Sequence, residues 1–373
     1  MVDRCSLPTT SPPTWTHDVR LLIVTNDYPP TRGGIQTYLE NLVKAYPHEV
    51  HVVAPLHDGS DPDECGVTRG HRSYMLPTSR TVRVVASAAD RFKPDAILFG
   101  APHPLLFLGE GLRERLGVPI GVLSHGAEIT IPGAVPGFRA LLGRALRSAD
   151  VRFAVSRFTA RRVERISRRP VEFLGAGVDI DTFTTGPERA DDGVPVIGCV
   201  SRFVPRKGQE RLLEAAARLD REVEVLLVGK GRSEARLRKR ADALGVRTRF
   251  EVDVPWSELP GLYHQMDVFC MPCKSRWGGL EVEGLGLVFL EAAASGLPLL
   301  AGDSGGSPET VLPGDSGFVV ADVDAIAEGL DILLSDRDLA RRMGERGRRF
   351  VEEEFTWERV VERLHAGFAP HLG

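Results

Sequence analysis

The sequence predicts an α/β protein built from two doubly wound parallel sheets. Three observations carry that reading. Short apolar runs alternate with longer amphipathic stretches, the series restarts partway along the chain, and 373 residues is a length for two domains rather than one. Strands that alternate with helices make parallel sheets covered on both faces.

Taken in order, residues 1–17 are rich in Pro, Thr and Ser, lack the apolar core of a signal peptide, and are expected to form a flexible tail. Residues 19–25 (VRLLIVT) read as a buried strand and 34–46 as an amphipathic helix. Runs at 49–54, 96–99 and 119–123 read as further strands, with helices near 81–92 and 104–116. The pattern restarts at 194–201 (VPVIGCVS). It continues through a helix at 207–219, a strand at 223–228, a helix at 232–244, strands at 249–252 and 267–271, and a helix at 287–295. Residues 175–193, rich in Gly, Asp and Thr, are the expected joint.

Composition removes several functional classes. Lys and Arg number 47 against 51 Asp and Glu, a formal charge of −4, so bulk attraction to nucleic acid is not expected. Five scattered cysteines do not make a disulfide framework and fit a reducing cytoplasm. No apolar run reaches the length of a membrane span, so membrane contact is expected to be peripheral at most. Cys270-x-x-Cys273 lies on an apolar strand and its turn without a thioredoxin-like context, and no further Cys or His completes a zinc site. With no Walker A motif the P-loop reading loses its support, and a nucleophile-elbow hydrolase is not expected either.

Four segments can carry chemistry. Asn26–Gly34 joins the first strand to the first helix, and Gly33-Gly34 makes either a tight βα turn or a place where backbone N–H groups approach an anion. Ser201–Gln209 follows the first strand of the second series, where Arg202 and Lys207 either neutralise a diphosphate or form a basic surface loop. Glu281–Glu291 is the most specific. Glu283 and Glu291 flank a Gly-Leu-Gly interruption and a helix start: either the amides of Gly286, Leu287 and Val288 point at an anion while the glutamates accept hydroxyls, or the two glutamates lie on a plain surface helix, which the interruption and Gly305-Gly306 make less convincing. His125 follows the strand 119–123 and faces either a ligand or the loop packing. Apart from these, residues 139–170 hold ten arginines and two acids, with Arg157, Arg161, Arg165 and Arg168 at helical spacing. They form either a solvated face or a stripe attractive to an anionic membrane.

Together these segments resemble the retaining glycosyltransferases of family 4, which have the GT-B fold. Asn26–Gln36 and Lys274–Glu291 are most similar to actinobacterial phosphatidylinositol mannoside mannosyltransferases, which use GDP-mannose. The resemblance implies two Rossmann-like domains facing each other across a cleft. An acceptor-binding domain would span 18–185, a nucleotide-sugar domain 186–355, and a last helix, about 356–373, would return to the first domain. It implies that Arg202 and Lys207 stabilise the departing diphosphate and that Glu283 holds the donor sugar. By the same resemblance Glu291 holds the ribose, Gly33 and Gly34 admit the phosphates, and His125 lines the sugar site. Val254 would stand by the nucleobase and Gln36 by the acceptor. Retention is expected without a glutamyl–sugar intermediate, and neither cofactor nor divalent metal is expected. The expected partners are a nucleotide sugar and a lipid or small-molecule acceptor, at the inner face of the plasma membrane in the lipid case. The alternative is a family 4 enzyme that carries a UDP- or ADP-linked sugar to a soluble acceptor such as a secondary metabolite.

Overall fold

The structure is a computed structural model and describes residues 18–31, 33–61, 64–187 and 193–372. The expected tail, 1–17, lies outside them. Two compact units divide the chain. One comprises the chain to Val155, Thr159–Gly175 and Val360 onward; the other comprises Ser156–Phe158 and Ala176–Arg359.

The first unit holds β1 (Leu21–Val24), β2 (Val50–Ala54), β3 (Val67–Arg69), β4 (Ala96–Phe99), β5 (Ile120–Ser124), β6 (Val151–Ala154) and β7 (Glu172–Phe173). They form one sheet in the order β3-β2-β1-β4-β5-β6-β7, every pair parallel. Every residue of β1, β4 and β5 is buried, as a central strand covered on both faces requires. The covering helix Ser79–Phe92 starts where the Thr78 hydroxyl accepts from the Thr81 N–H, and it ends on left-handed Lys93. The chain's last helix, Trp357–Phe368, ends in this unit: Phe368 packs on Phe153 at 5.6 Å.

The second unit repeats the plan with β8 (Val196–Val200), β9 (Glu224–Val228), β10 (Thr248–Glu251), β11 (Val268–Met271), β12 (Leu299–Gly302) and β13 (Gly317–Val320). The order is β10-β9-β8-β11-β12-β13, again all parallel. In each sheet the strand order reverses beside the first strand, between β1 and β4 and between β8 and β11. Open α/β sheets bind ligands at the carboxyl edge of such a switch point.

The division after Gly175 falls ten residues before the expected boundary at 185. The cause is local: Phe183 packs edge-on against Trp256 and Tyr263 at 5.7 Å, and the Val178 N–H donates to the Phe355 carbonyl, so 176–187 build the second unit. Cys199, Cys270 and Cys273 are buried free thiols, and burial pushes Cys273 up to about 12, where it is neither a thiolate nucleophile nor a ready metal ligand. Cys65, by contrast, is disulfide-bonded, although the cysteine pattern gave no reason to expect a disulfide.

Candidate active site

In the second unit the loops after β8 and β11 meet on one ion cluster. The Glu283 carboxylate accepts from the Arg206 guanidinium and from the Lys207 ammonium, the latter at 2.8 Å, and both Glu283 and Lys207 are buried. Burial alone would raise the Glu283 carboxyl; the Lys207 and Arg206 charges outweigh it and hold the group below its ordinary value. The backbone fixes the position. Gly306 N–H donates to the Glu283 carbonyl at 3.0 Å, and Gly305, at φ 63°, passes so close that a Cβ there would sit 1.8 Å from that same oxygen. Lys207 is therefore held by Glu283, whereas Arg202 is exposed and makes no ion pair among the described residues.

Four positions after Glu283, helix Leu287–Ala294 follows Gly286, which takes φ 96° to turn the chain into it. No side chain caps this helix, so the first-turn amides of Leu287 and Val288 stand at its positive end. Glu291, in the next turn, accepts the Tyr263 hydroxyl proton at 2.8 Å, and burial raises its carboxyl to about 7. Val254 stands on the loop after β10, next in sequence to Asp253, which pairs with Lys230.

In the first unit the loops after β1, β4 and β5 converge on polar groups of another kind. The Gln36 side-chain amide donates to Asp27 at 3.0 Å. His125 Nε2 lies 3.0 Å from the Gly100 carbonyl. A carbonyl only accepts, so Nε2 carries the proton and Nδ1 is left as the acceptor. Burial lowers the His125 pKa, against the opposing pull of Glu128 and Asp27. Burial likewise raises that of Asp27. Glu128 accepts from the amides of His125 and Gly126 through one oxygen, while its buried second oxygen has no hydrogen-bond partner among the described residues. Gly33 is extended at φ 174°, and exposed Gly34 opens the uncapped helix Gly34–Ala45.

Sequence reasoning gave Lys207 to the diphosphate and Glu283 to the donor sugar, and set His125 after a strand and Gln36 in the first helix; the ion pair between Lys207 and Glu283 was not foreseen. That reasoning gave no role to Arg206, Asp27, Glu128 or Tyr263, whose partners lie up to 77 residues away in sequence. Two further short patterns occur in the sequence. Gly302–Gly306 has G-x-S-x-G spacing, but Ser304 is buried and accepts the Glu283 N–H instead of standing exposed beside a histidine. Asp-x-Asp occurs at 61–63, which runs outside the described residues, and at 179–181, 322–324 and 336–338, where Asp179 closes a turn and Asp322 and Asp336 cap helices. Among the described residues no group of three or more His, Cys, Asp or Glu is placed to hold a metal ion.

Comparison with known proteins identifies the family. The model of "Glycosyltransferase Family 4" matches residues 32–182, and that of "Glycosyl transferases group 1" matches 182–350. The chain is 40% identical to the GDP-mannose-dependent alpha-(1-6)-phosphatidylinositol monomannoside mannosyltransferase of Mycolicibacterium smegmatis, over 92% of this chain and 97% of that one. It is 37% identical to the GDP-mannose-dependent monoacylated alpha-(1-6)-phosphatidylinositol monomannoside mannosyltransferase of Corynebacterium glutamicum, over 92% and 96%. Among solved structures, Anabaena HepE in complex with UDP and glucose matches at TM-score 0.77 with 18% identity, over 94% of this chain and 100% of that one. Sucrose-phosphate synthase from Thermosynechococcus elongatus matches at 0.77 with 22% identity, over 95% and 99%. Those two likenesses show the fold alone.

Proposed function

We propose, since the chain belongs to the family 4 glycosyltransferases of GT-B fold, that it transfers an α-mannosyl group from GDP-mannose to a phosphatidylinositol mannoside-type acceptor with retention of configuration. The observation that carries the reading is the 37–40% identity, over 92% of the chain, to enzymes named for that donor and acceptor. The site chemistry supports it. Breaking the bond between C1 of mannose and the phosphate oxygen develops negative charge on GDP and positive charge on the sugar ring.

Lys207 and Arg202, with the amides of Leu287 and Val288, stabilise the diphosphate. Glu283 accepts hydrogen bonds from donor-sugar hydroxyls, and Glu291 from the ribose. Gly33 and Gly34 let the chain come close to the phosphates, and Val254 stands by the nucleobase. Gln36 stands by the acceptor and its attacking hydroxyl, and His125 lines the sugar site. The new C1–O bond forms on the face from which GDP leaves, and the hydroxyl proton passes to a donor phosphate oxygen. No divalent metal and no organic cofactor is required.

The same reading includes peripheral contact with an anionic membrane at the inner leaflet. Ile131 and Leu141 on consecutive helices, and Val135 between them, are about half exposed, and Arg139, Arg144, Arg147, Arg161, Arg165, Arg168 and Arg169 are exposed near them in sequence. No helix among the described residues is long and apolar enough to cross a membrane. The direct test supplies labelled GDP-mannose, with EDTA, to the protein and phosphatidylinositol mannoside in anionic vesicles. Labelled lipid carrying a new α-mannosyl group supports the reading; its absence beside transfer to a soluble acceptor overturns the lipid assignment.

A further inference from the structure

We propose that Tyr263 is a positioning residue for the nucleotide: its hydroxyl fixes the Glu291 carboxylate in the one orientation that presents its free oxygen to the ribose. The inference rests on the reading that Glu291 receives the ribose and names the residue that makes it able to.

Tyr263 ends the short helix Leu259–Tyr263, after β10, and its side chain is wholly buried. Phe183 meets its ring edge-on at 5.7 Å and Phe269 lies tilted against it at 5.9 Å, so the ring is packed on both sides. The hydroxyl sits 2.8 Å from Glu291 Oε2 and 3.3 Å from the Val288 carbonyl. A phenol has one proton, and the charged, nearer oxygen takes it. Glu291 Oε1 makes no hydrogen bond among the described residues. The side chain is thus fastened by one oxygen and open at the other. A glutamate without that anchor keeps rotamer freedom and must lose it on binding, which weakens affinity.

The protonation state follows the same contact. Burial drives the Glu291 carboxyl up, and the Tyr263 hydrogen bond opposes that rise. The titratable groups about this pair are Tyr263 itself and Cys199 behind it, both pushed up by burial and therefore neutral. Without the hydroxyl, Glu291 holds its proton to higher pH and accepts ribose hydroxyls less well at neutrality.

The test compares GDP with 2′,3′-dideoxy-GDP by calorimetric titration of wild type and Tyr263→Phe. The two ligands share guanine and diphosphate, so phosphate titration and nucleobase contacts cancel in their affinity ratio. Wild type should favour GDP. Tyr263→Phe should weaken GDP about tenfold and leave the dideoxy ligand unchanged, and the pH below which the GDP advantage fades should move upward. Equal weakening of both ligands, or an unchanged GDP affinity, would overturn the positioning role. Equal affinity of wild type for the two ligands would overturn the ribose reading itself. Replacing Tyr263 by 3-fluorotyrosine keeps the ring and acidifies the hydroxyl. It should move the same pH onset downward, and a stationary onset would count against the proposal even where the phenylalanine variant does not fold.

Discussion

The carboxyl edges of the two sheets share one strand plan and differ in charge. At the second, a buried glutamate is compensated by two cations, and an uncapped helix start stands four residues beyond it. At the first, Asp27, Glu128 and His125 meet with no Lys or Arg paired to them among the described residues, and one Glu128 oxygen is left unpaired. The first suits a ligand that brings hydroxyl donors; the second suits one that brings negative charge and leaves with more of it. A shared fold therefore says little about chemistry, and the side chains at its switch points say most.

The largest expected effect breaks the cationic side. Lys207→Ala should lower kcat by about 10²–10³ while circular dichroism stays unchanged, because a cation aimed at the leaving group acts mainly in the transition state. Near-wild-type turnover would remove Lys207 from the mechanism. Glu283→Gln should come next. It leaves Arg206 and Lys207 facing each other without the carboxylate, and urea unfolding should show a loss of about 3 kcal/mol together with reduced transfer.

The two glutamates should also separate by pH. Glu283 is held below its ordinary value, so its contribution is present above the unfolded carboxyl pKa and disappears as pH falls through the lower folded value. Glu291, raised to about 7, behaves oppositely. The folded state binds its proton more tightly, so the ligand-free protein loses on the order of 2 kcal/mol as pH rises from about 4.5 to 7. Urea midpoints across that range should fall in wild type less the Glu283 trend, and Glu291→Gln should remove the fall; an identical slope in the variant contradicts the assignment. The smallest effect is expected at the first sheet's edge, where no Lys or Arg is paired to the acids among the described residues: Gln36→Ala should raise the acceptor KM about tenfold and leave the GDP-mannose KM unchanged.

How much of this was legible in the sequence depends on distance along the chain. Central strands such as Leu21–Val24 and Ala96–Phe99 announce themselves because burial on both faces demands continuous apolar residues. The edge strands Val67–Arg69 and Glu172–Phe173 are short and part exposed, and leave no such run. Leu299–Gly302 was hidden by the apolar helix just before it, where nothing marks the change of period. In the site, Glu283, Glu291 and Lys207 were readable from spacing about glycines. Arg206 and Tyr263 were not, because each matters only through a partner 77 or 28 residues away that folding brings to it.

The central claim is that the second unit binds a guanosine diphosphate sugar, with cations on its diphosphate, Glu291 on its ribose and the Val254 loop beside its base. Calorimetric titration of GDP, UDP and ADP into wild type and Glu291→Gln, each with EDTA present, tests it most directly. The account predicts a clear preference for GDP, unchanged by EDTA and weakened about tenfold in the variant. A preference for UDP or ADP, or a Glu291→Gln variant that binds GDP as tightly as wild type, would contradict it.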